Sequence, residues 1–174
     1  MSTPTYQPRR PIASELVSPG FVASSPSSRM GKRWLRDMLR SRSKEARAMF
    51  NSRRILIVED EPFVVIELVE AVERSGGAVV GPVPTVAEAL ALLDQHKIDA
   101  AILDVQLLDG EISPVALRLI EQGIPLVFQT GTGLPVVLVE LDIELAVVLK
   151  PVAPMIILEL LLAEIMRQTA RQVG

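Results

Sequence analysis

Charged and hydroxyl side chains stand directly after four short, mostly apolar runs of this 174-residue sequence. The residues that follow the runs at 55–58, 100–103, 126–129 and 145–149 are, in that order, Glu59-Asp60-Glu61, Asp104, Thr130 and Lys150. Carboxylates that share one site repel each other unless a cation lies between them. Mg²⁺ suits such a group because it prefers oxygen ligands, and it also attracts phosphoryl oxygens. If the ends of these runs meet, they form a candidate site for a divalent ion and a phosphoryl group.

The remaining polar residues of this set suit the oxygens of a phosphoryl group. Lys150 supplies a positive charge, Thr130 supplies a hydroxyl donor, and Gly131 lets the backbone approach closely. A carboxylate beside the metal can itself be the nucleophile and form an aspartyl phosphate. The chain has no cysteine, which excludes thiol catalysis and disulfides, and its one histidine, His96, excludes a multi-histidine metal site.

Apolar runs alternate with helical patterns from residue 53 onward. We predict five strands, at Ile55–Val58, Ala78–Gly81, Asp99–Asp104, Leu126–Gln129 and Leu145–Leu149. We predict four helices, from Pro62 to Gly76, from a Thr85 cap to Gln95, from a Ser113 cap to Gly123 and from Pro154 to Arg171. The stretch 136–141 fits either a short helix or a loop.

Strands that are apolar on both faces, alternating with helices, predict an α/β fold with a parallel sheet covered on both sides. Right-handed crossovers favour a doubly wound sheet, and five strands favour the flavodoxin-like order 2-1-3-4-5. In that order the ligand crevice lies at the carboxyl ends of strands one and three. We therefore expect all four chemistry-bearing strand ends to open on one crevice.

Residues 53–171 resemble the receiver domain of two-component response regulators. The acidic pair Glu59-Asp60, the strand-end Asp104, Thr130 and Lys150-Pro151 occur in the receiver order and at receiver-like separations. Four further stretches resemble a subgroup of stand-alone receivers that carry a Phe-Ala-Thr-Gly motif after the fourth strand. These stretches are Val80-Gly81-Pro82, the Asp-Val-x-Leu at 104–107, Gly123-Ile124-Pro125 and Phe128-Gln129-Thr130-Gly131.

The resemblance implies a role for each site residue. Asp104 would accept a phosphoryl group from a histidine kinase or a phosphotransfer protein, so the chain would act as a single-domain response regulator in a phosphorelay. Mg²⁺ would be held by Asp60 directly, by Glu59 through water, by Asp104 and by the backbone carbonyl of Gln106. Thr130 and Lys150 would bind the phosphoryl oxygens. The protein would not be an enzyme beyond its own self-phosphorylation and autodephosphorylation.

Other interpretations remain open beside this one. An aspartyl-phosphate phosphatase also uses a strand-end aspartate, but that class has a second aspartate where this chain has Gln106. A degenerate receiver would fold without being phosphorylated, which the intact set of site residues argues against. The resemblance also has a departure, because Val147 stands where receivers usually carry an aromatic switch residue.

The chain joins a basic segment to an acidic body. Residues 1–54 hold twelve Lys/Arg and three Asp/Glu, whereas residues 55–174 hold six and eighteen. The sequence has neither a signal-peptide pattern nor an apolar run long enough to span a bilayer, so we expect a soluble, cytoplasmic protein.

The basic segment has two parts. Residues 1–29 are rich in Pro and Ser and predict a disordered tail. Residues 30–52 predict a basic amphipathic helix and linker, because Trp34, Leu35, Met38 and Leu39 recur at helical spacing between basic residues. An alternative function is therefore a DNA- or membrane-associated regulator that uses this arm.

The end of the chain is unusually apolar. The last predicted helix carries apolar residues around most of its circumference between Met155 and Met166, and the stretch 134–139 is uncharged. We expect an apolar patch beside strand five, covered either by a second copy of the chain or by the helix at 34–39. We favour a homodimer through this face.

Overall fold

The computed structural model describes residues 49–173, which are built around a five-stranded parallel sheet. Its strands are β1 (Arg54–Val58), β2 (Ala78–Val83), β3 (Ala100–Asp104), β6 (Leu126–Thr130) and β7 (Ala146–Leu149), in the order β2-β1-β3-β6-β7. Two further strands, β4 (Gln106–Leu107) and β5 (Gly110–Glu111), form an antiparallel hairpin that the sequence did not predict. Since β6 and β7 are the predicted strands four and five, the flavodoxin-like order is confirmed.

Helices cover both faces of this sheet. They are α1 (Pro62–Arg74), α2 (Val86–Gln95), α3 (Ser113–Glu121), α4 (Val136–Val139) and α5 (Pro154–Val173). Successive side chains of a strand point to opposite faces, so in β1 Leu56 and Val58 join the core beneath α2, α3 and α4. Ile55 and Ile57 join the core beneath α1 and α5. The strands are apolar on both faces because both faces are buried.

The register of the sheet sets the strand ends at one level. Val58 pairs with Leu103, and Asp104 pairs with Gln129. Thr130 pairs with Leu149 in the last strand. All pairings in this sheet are parallel, so the residues at or just beyond these ends lie along the same edge.

The predicted cap of the third helix is wrong. α3 begins at Ser113 itself, and the preceding residue, Ile112, already has helical backbone angles (φ −66°, ψ −7°). The amides of Val115 and Ala116 donate to the Ile112 carbonyl. Because this turn already satisfies them, the serine has no amide left to cap, and its hydroxyl is buried without a hydrogen-bond partner among residues 49–173.

The start of α2 is tied to the β4–β5 hairpin. Thr85 caps the helix as predicted, since its hydroxyl oxygen accepts from the Glu88 amide at 3.2 Å. Asp109, at the tip of the hairpin, accepts from the Val86 amide at 2.7 Å and from the Ala87 amide at 3.1 Å. These bonds satisfy amides that a helix leaves unpaired in its first turn, and they hold the hairpin against the start of α2.

Apolar side chains remain exposed along α4, β7 and the start of α5, and we call this the edge face. Its members are Val136, Val137, Val139, Val147, Leu149, Met155 and Ile156. The stretch 136–141, which fitted either a helix or a loop, contains the single turn of α4. Among residues 49–173, β7 has a strand neighbour on one side only, so this part of the chain leaves that edge of the sheet open.

Part of the sequence lies beyond this description. The predicted tail at 1–29 and most of the predicted basic helix and linker at 30–52 fall outside the described residues. Within residues 49–173, the helices are each too short or too polar to cross a bilayer.

Candidate functional site

Four strand ends meet at the carboxyl edge of the sheet and bring the predicted site residues together. Glu59 follows β1, Asp104 is the last residue of β3, Thr130 is the last residue of β6, and Lys150 follows β7. These side chains are far apart in the sequence, and the parallel order of the strands is what makes them neighbours.

Lys150 joins the acidic side chains of the site. Its Nζ atom lies 2.6 Å from Asp104 Oδ2, 2.9 Å from Glu59 Oε2 and 3.0 Å from Glu61 Oε1. The lysine side chain is 18% exposed, whereas that of Asp104 is 8% exposed and that of Glu59 is fully buried. One ammonium group therefore contacts two buried carboxylates and a third at the mouth of the site, and its single charge offsets only part of theirs.

These contacts keep Lys150 charged. Burial alone lowers the pKa of this ammonium, but the hydrogen bonds to Asp104, Glu59 and Glu61 outweigh it and raise the pKa above its usual value. The site thus holds a positive charge directly beside Asp104. The peptide bond that follows this lysine, between Lys150 and Pro151, is cis.

Glu59 is the most buried acid of the site. Burial raises its pKa to about 7, although hydrogen bonds from Lys150 and from the Glu61 amide act in the opposite direction. The nearby charge of Asp104 adds to the rise. A carboxyl with a pKa near neutrality changes its charge readily when a cation arrives or leaves.

Three carboxylates form a candidate metal site. Glu59, Asp60 and Asp104 each offer an oxygen, and these three oxygens lie within 4.8 Å of one another. The donors are all hard oxygens, two of the three residues are buried, and the cluster carries more negative than positive charge. This chemistry fits an oxygen-ligated dication such as Mg²⁺.

The loop after β3 holds Asp104 from the other side. The Gln106 amide donates to Asp104 Oδ1 at 3.3 Å, and Lys150 binds Oδ2. The two oxygens of Asp104 are thus differentiated, one by a backbone amide and one by a charged side chain. Gln106 was predicted to contribute its backbone carbonyl to a metal, and its position two residues after Asp104 places its backbone beside the cluster.

Thr130 reaches the site but points its hydroxyl elsewhere. Thr130 Oγ1 donates to the Gly133 carbonyl at 3.0 Å and accepts from the amides of Thr132 and Gly133, both at 3.1 Å. The side chain is fully buried, and within residues 49–173 it has no hydrogen bond to Asp104. In this conformation it holds the turn after β6 in place.

Gln129 is a site residue that the sequence analysis did not single out. Its Nε2 atom donates to Glu59 Oε2 at 2.7 Å, and its side chain is 1% exposed. The signal was present in the sequence, because Gln129 is a polar residue inside a strand whose other interior residues are apolar. Its partner could not be identified, because the two residues are 70 positions apart.

A cavity of about 330 Å³ opens beside the cluster, between α1 and α5. Glu61, Glu67, Gln129 and Lys150 form its polar wall, and Val64, Leu68 and Ile157 contribute to its apolar wall. The site is therefore a recess bordered by charged groups on one side and aliphatic groups on the other.

A family model described as "Response regulator receiver domain" matches residues 55–160, which is more than half of the chain. The chain belongs to the response regulator receiver domain family. The predicted resemblance is thus confirmed, and the matched residues contain the acidic cluster, Thr130 and Lys150.

Individual relatives agree with this receiver assignment. The transcriptional regulatory protein PdtaR of Mycobacterium tuberculosis is 38% identical over 55 residues, which is 32% of this chain and 27% of PdtaR. The response regulator PhyR from Brucella abortus is 30% identical with a TM-score of 0.61, over 82% of this chain and 59% of that chain. SdrG from Sphingomonas melonis Fr1 is 37% identical with a TM-score of 0.53, over 66% of this chain and 96% of that chain. The chain therefore spans only about a quarter of PdtaR and three fifths of PhyR.

Proposed function

We propose that this receiver accepts a phosphoryl group on Asp104 from the phosphohistidine of a histidine kinase or a phosphotransfer protein, and that it signals through protein partners. The observation that carries the proposal is the position of Lys150 Nζ, 2.6 Å from Asp104 Oδ2, at the edge of a three-carboxylate cluster. A charged donor beside one carboxylate, with further acids able to hold a cation, matches what a phosphoryl group requires.

The transfer is a substitution at phosphorus. An Asp104 oxygen forms the new P–O bond as the P–N bond to the donor imidazole breaks, and the bonding electron pair stays on that imidazole, which takes up a proton. Asp104 is held from both sides by Lys150 and the Gln106 amide, so its carboxylate is oriented before the donor arrives.

Magnesium fits this scheme as the cation that offsets the charge of the acids and of the incoming group. Glu59, Asp60, Asp104 and the backbone carbonyl of Gln106 would hold it. When bound, Mg²⁺ neutralises negative charge that builds up on the phosphoryl oxygens.

Lys150 then exchanges partners. A phosphoryl group on Asp104 offers three strongly accepting oxygens in place of one carboxylate oxygen, so the ammonium moves from its present carboxylates to these oxygens. Thr130 would turn its hydroxyl from the Gly133 carbonyl towards the same group. Because Thr130 holds the turn after β6, this rotation would release that turn and carry the signal towards α4.

The edge face is the surface we propose for homodimer formation. Its exposed apolar residues lie next to the open edge at β7, and large exposed apolar patches mark interaction surfaces. Leu149, 67% exposed on β7, is the residue to change. Leu149→Glu should shift the solution mass measured by light scattering towards the monomer, whereas Leu108→Glu, at a similarly exposed residue on the β4–β5 hairpin, should not. An unchanged mass for Leu149→Glu would remove this face as the interface.

A second role for the chain is supported by the charge of the segment before the receiver. Residues 1–54 carry twelve Lys/Arg against three Asp/Glu, which suits binding to DNA or to an anionic membrane. Binding of the whole protein to duplex DNA that weakens steeply as salt is added would support this role. If the whole protein does not bind DNA or an anionic membrane, signalling through protein partners is left as the proposed role.

The proposal is tested by intact-mass spectrometry after incubation with a small phosphodonor. With Mg²⁺ the parent should gain one phosphoryl group, and Asp104→Asn should gain none. Glu111→Gln, which changes an exposed acid on the nearby hairpin, is the matched control and should be labelled like the parent. A mass gain that persists in Asp104→Asn would contradict the assignment of the acceptor.

A further inference from the structure

A buried amide contacts the most buried acid of the site. Gln129 lies in β6 between two fully buried residues, Phe128 and Thr130, and is itself 1% exposed. Its Nε2 atom lies 2.7 Å from Glu59 Oε2, which is a short and fully enclosed hydrogen bond. A polar side chain in the interior of a parallel sheet is costly unless it is paired, so this contact accounts for the glutamine.

Each carboxylate oxygen of Glu59 has two donors. One donor is fixed by the fold and differs between the two oxygens, and the other is the ammonium of Lys150, which contacts both. Oε1 accepts from the Glu61 amide at 3.1 Å, and Oε2 accepts from Gln129. Lys150 Nζ lies 3.1 Å from Oε1 and 2.9 Å from Oε2. The Glu61 amide belongs to the backbone and Gln129 is buried in β6, whereas the lysine side chain is long and partly exposed.

The difference between the fixed donors and the movable lysine matters when Lys150 moves. The proposed transfer requires the ammonium to leave Glu59 for the phosphoryl oxygens, and Glu59 would then be a buried carboxylate with fewer partners. Gln129 and the Glu61 amide would still hold one oxygen each. The carboxylate would therefore keep its direction towards Asp60 and Asp104 without the help of the lysine.

We propose that Gln129 is a positioning residue that holds Glu59 in the orientation needed to bind the divalent ion. This inference rests on the proposed function, because it takes the acidic cluster to be the metal site. The side chain of Gln129 is expected to act through Glu59, since within residues 49–173 its amide donates a hydrogen bond to that carboxylate and none to Asp60 or Asp104. Partners that orient metal-binding side chains in this way typically change metal affinity by about 10- to 100-fold.

A purely structural role makes a different prediction. If Gln129 only filled space and satisfied a core hydrogen bond, its replacement would lower stability whether or not Glu59 were present, and the metal affinity of the folded protein would not change. The two roles are separated by combining a change at Gln129 with a change at Glu59.

The experiment measures metal binding without phosphorylation. Mn²⁺ is titrated into the whole protein, and the concentration of free Mn²⁺ is measured by electron paramagnetic resonance. Mg²⁺ is then added as a competitor, which gives the affinity for Mg²⁺. The proteins are the parent, Gln129→Met, Glu59→Gln and the double variant, with Gln122→Met as the control at an exposed glutamine that follows α3. Circular dichroism confirms that each is folded, and Gln129→Leu replaces the Met variant if that one does not fold.

We expect Gln129→Met to weaken Mn²⁺ and Mg²⁺ binding about tenfold or more. In the Glu59→Gln background the same change should weaken binding by less than about twofold, because the carboxylate it positions is gone. Parent-like affinity for Gln129→Met, or an equal loss in both backgrounds, overturns the inference while leaving the proposed function intact. Failure of the parent to bind either ion overturns both.

Discussion

Replacing Glu59 by glutamine should stabilise the metal-free protein at alkaline pH and have little effect in acid. The pKa of Glu59 is raised from 4.5 to about 7 because the group is buried. Between these pH values the folded protein keeps a proton on this carboxyl that the unfolded chain has lost. Stability of the parent therefore falls as the pH rises through this window, since the unfolded state binds fewer protons.

The size of the effect follows from the same two values. A pKa of about 7 against 4.5 corresponds to about 3 kcal/mol of the free energy of unfolding. Lys150 is partly exposed, so solvent reaches the cluster and screens its charges. We therefore expect about 1–2 kcal/mol in favour of Glu59→Gln above about pH 8, and close to zero below about pH 4. The neutral side chain can still accept the hydrogen bond from Gln129.

The assay is urea unfolding followed by circular dichroism, in the presence of a chelator, across this pH range. Glu73→Gln, at an exposed acid of α1, is the matched control and should not reproduce the stabilisation expected for Glu59→Gln at alkaline pH. Adding Mg²⁺ at alkaline pH should stabilise the parent more than Glu59→Gln, because the ion neutralises the buried charge. The reasoning is refuted if Glu59→Gln is no more stable than the parent at alkaline pH, or if the difference is the same at all pH values.

Three further predictions address other parts of the structure. Gly77→Ala should destabilise the fold by about 1–3 kcal/mol in the urea unfolding experiment, because a Cβ there would lie 2.7 Å from Val72 Cγ1 and 2.9 Å from Ile55 Cδ1. Gly131→Ala is the control and should be near neutral, because the space around Gly131 is open. Asp109→Ala should lower the Tm and speed amide hydrogen exchange at Val86 and Ala87, whose amides it now binds; unchanged exchange at both amides would contradict the role of the hairpin. We expect phosphorylation to change the solution mass of the parent through the edge face. Lys150→Ala should still fold and gain a phosphoryl group, as judged by intact mass, but its solution mass should not change on phosphorylation. A change equal to that of the parent would show that Lys150 does not carry the signal.

The sheet could be predicted because its strands are apolar on both faces. A strand such as Ala100–Asp104, apolar until the carboxylate at its end and buried at every position, is typical of a parallel sheet covered by helices. Right-handed crossovers then favoured a doubly wound sheet, and the order of the strands was predicted as the common arrangement for five of them. The convergence of Glu59, Asp104 and Lys150 followed from that order alone, because parallel strands present their carboxyl ends at one edge.

The features that were missed depend on contacts between residues that are distant in the sequence. The bond from Gln129 in β6 to Glu59, just after β1, joins residues that are 70 positions apart. The cap that Asp109 provides for α2 crosses more than twenty residues. Ser113 was assigned as a cap because serine is common at that position, but the preceding turn had already used the free amides. Local patterns identify helices, strands and their ends, and they do not reveal which polar groups meet in three dimensions.

The central claim is that Asp104 is the residue that receives the phosphoryl group. Borohydride reduces an aspartyl phosphate to homoserine, which marks the modified residue permanently. The parent is incubated with a phosphodonor and Mg²⁺, reduced, digested and sequenced by mass spectrometry. We expect homoserine at position 104 and at no other position, with none formed when Mg²⁺ is chelated. Homoserine at position 60 instead, or none under conditions in which the protein gains a phosphoryl group, would contradict the account.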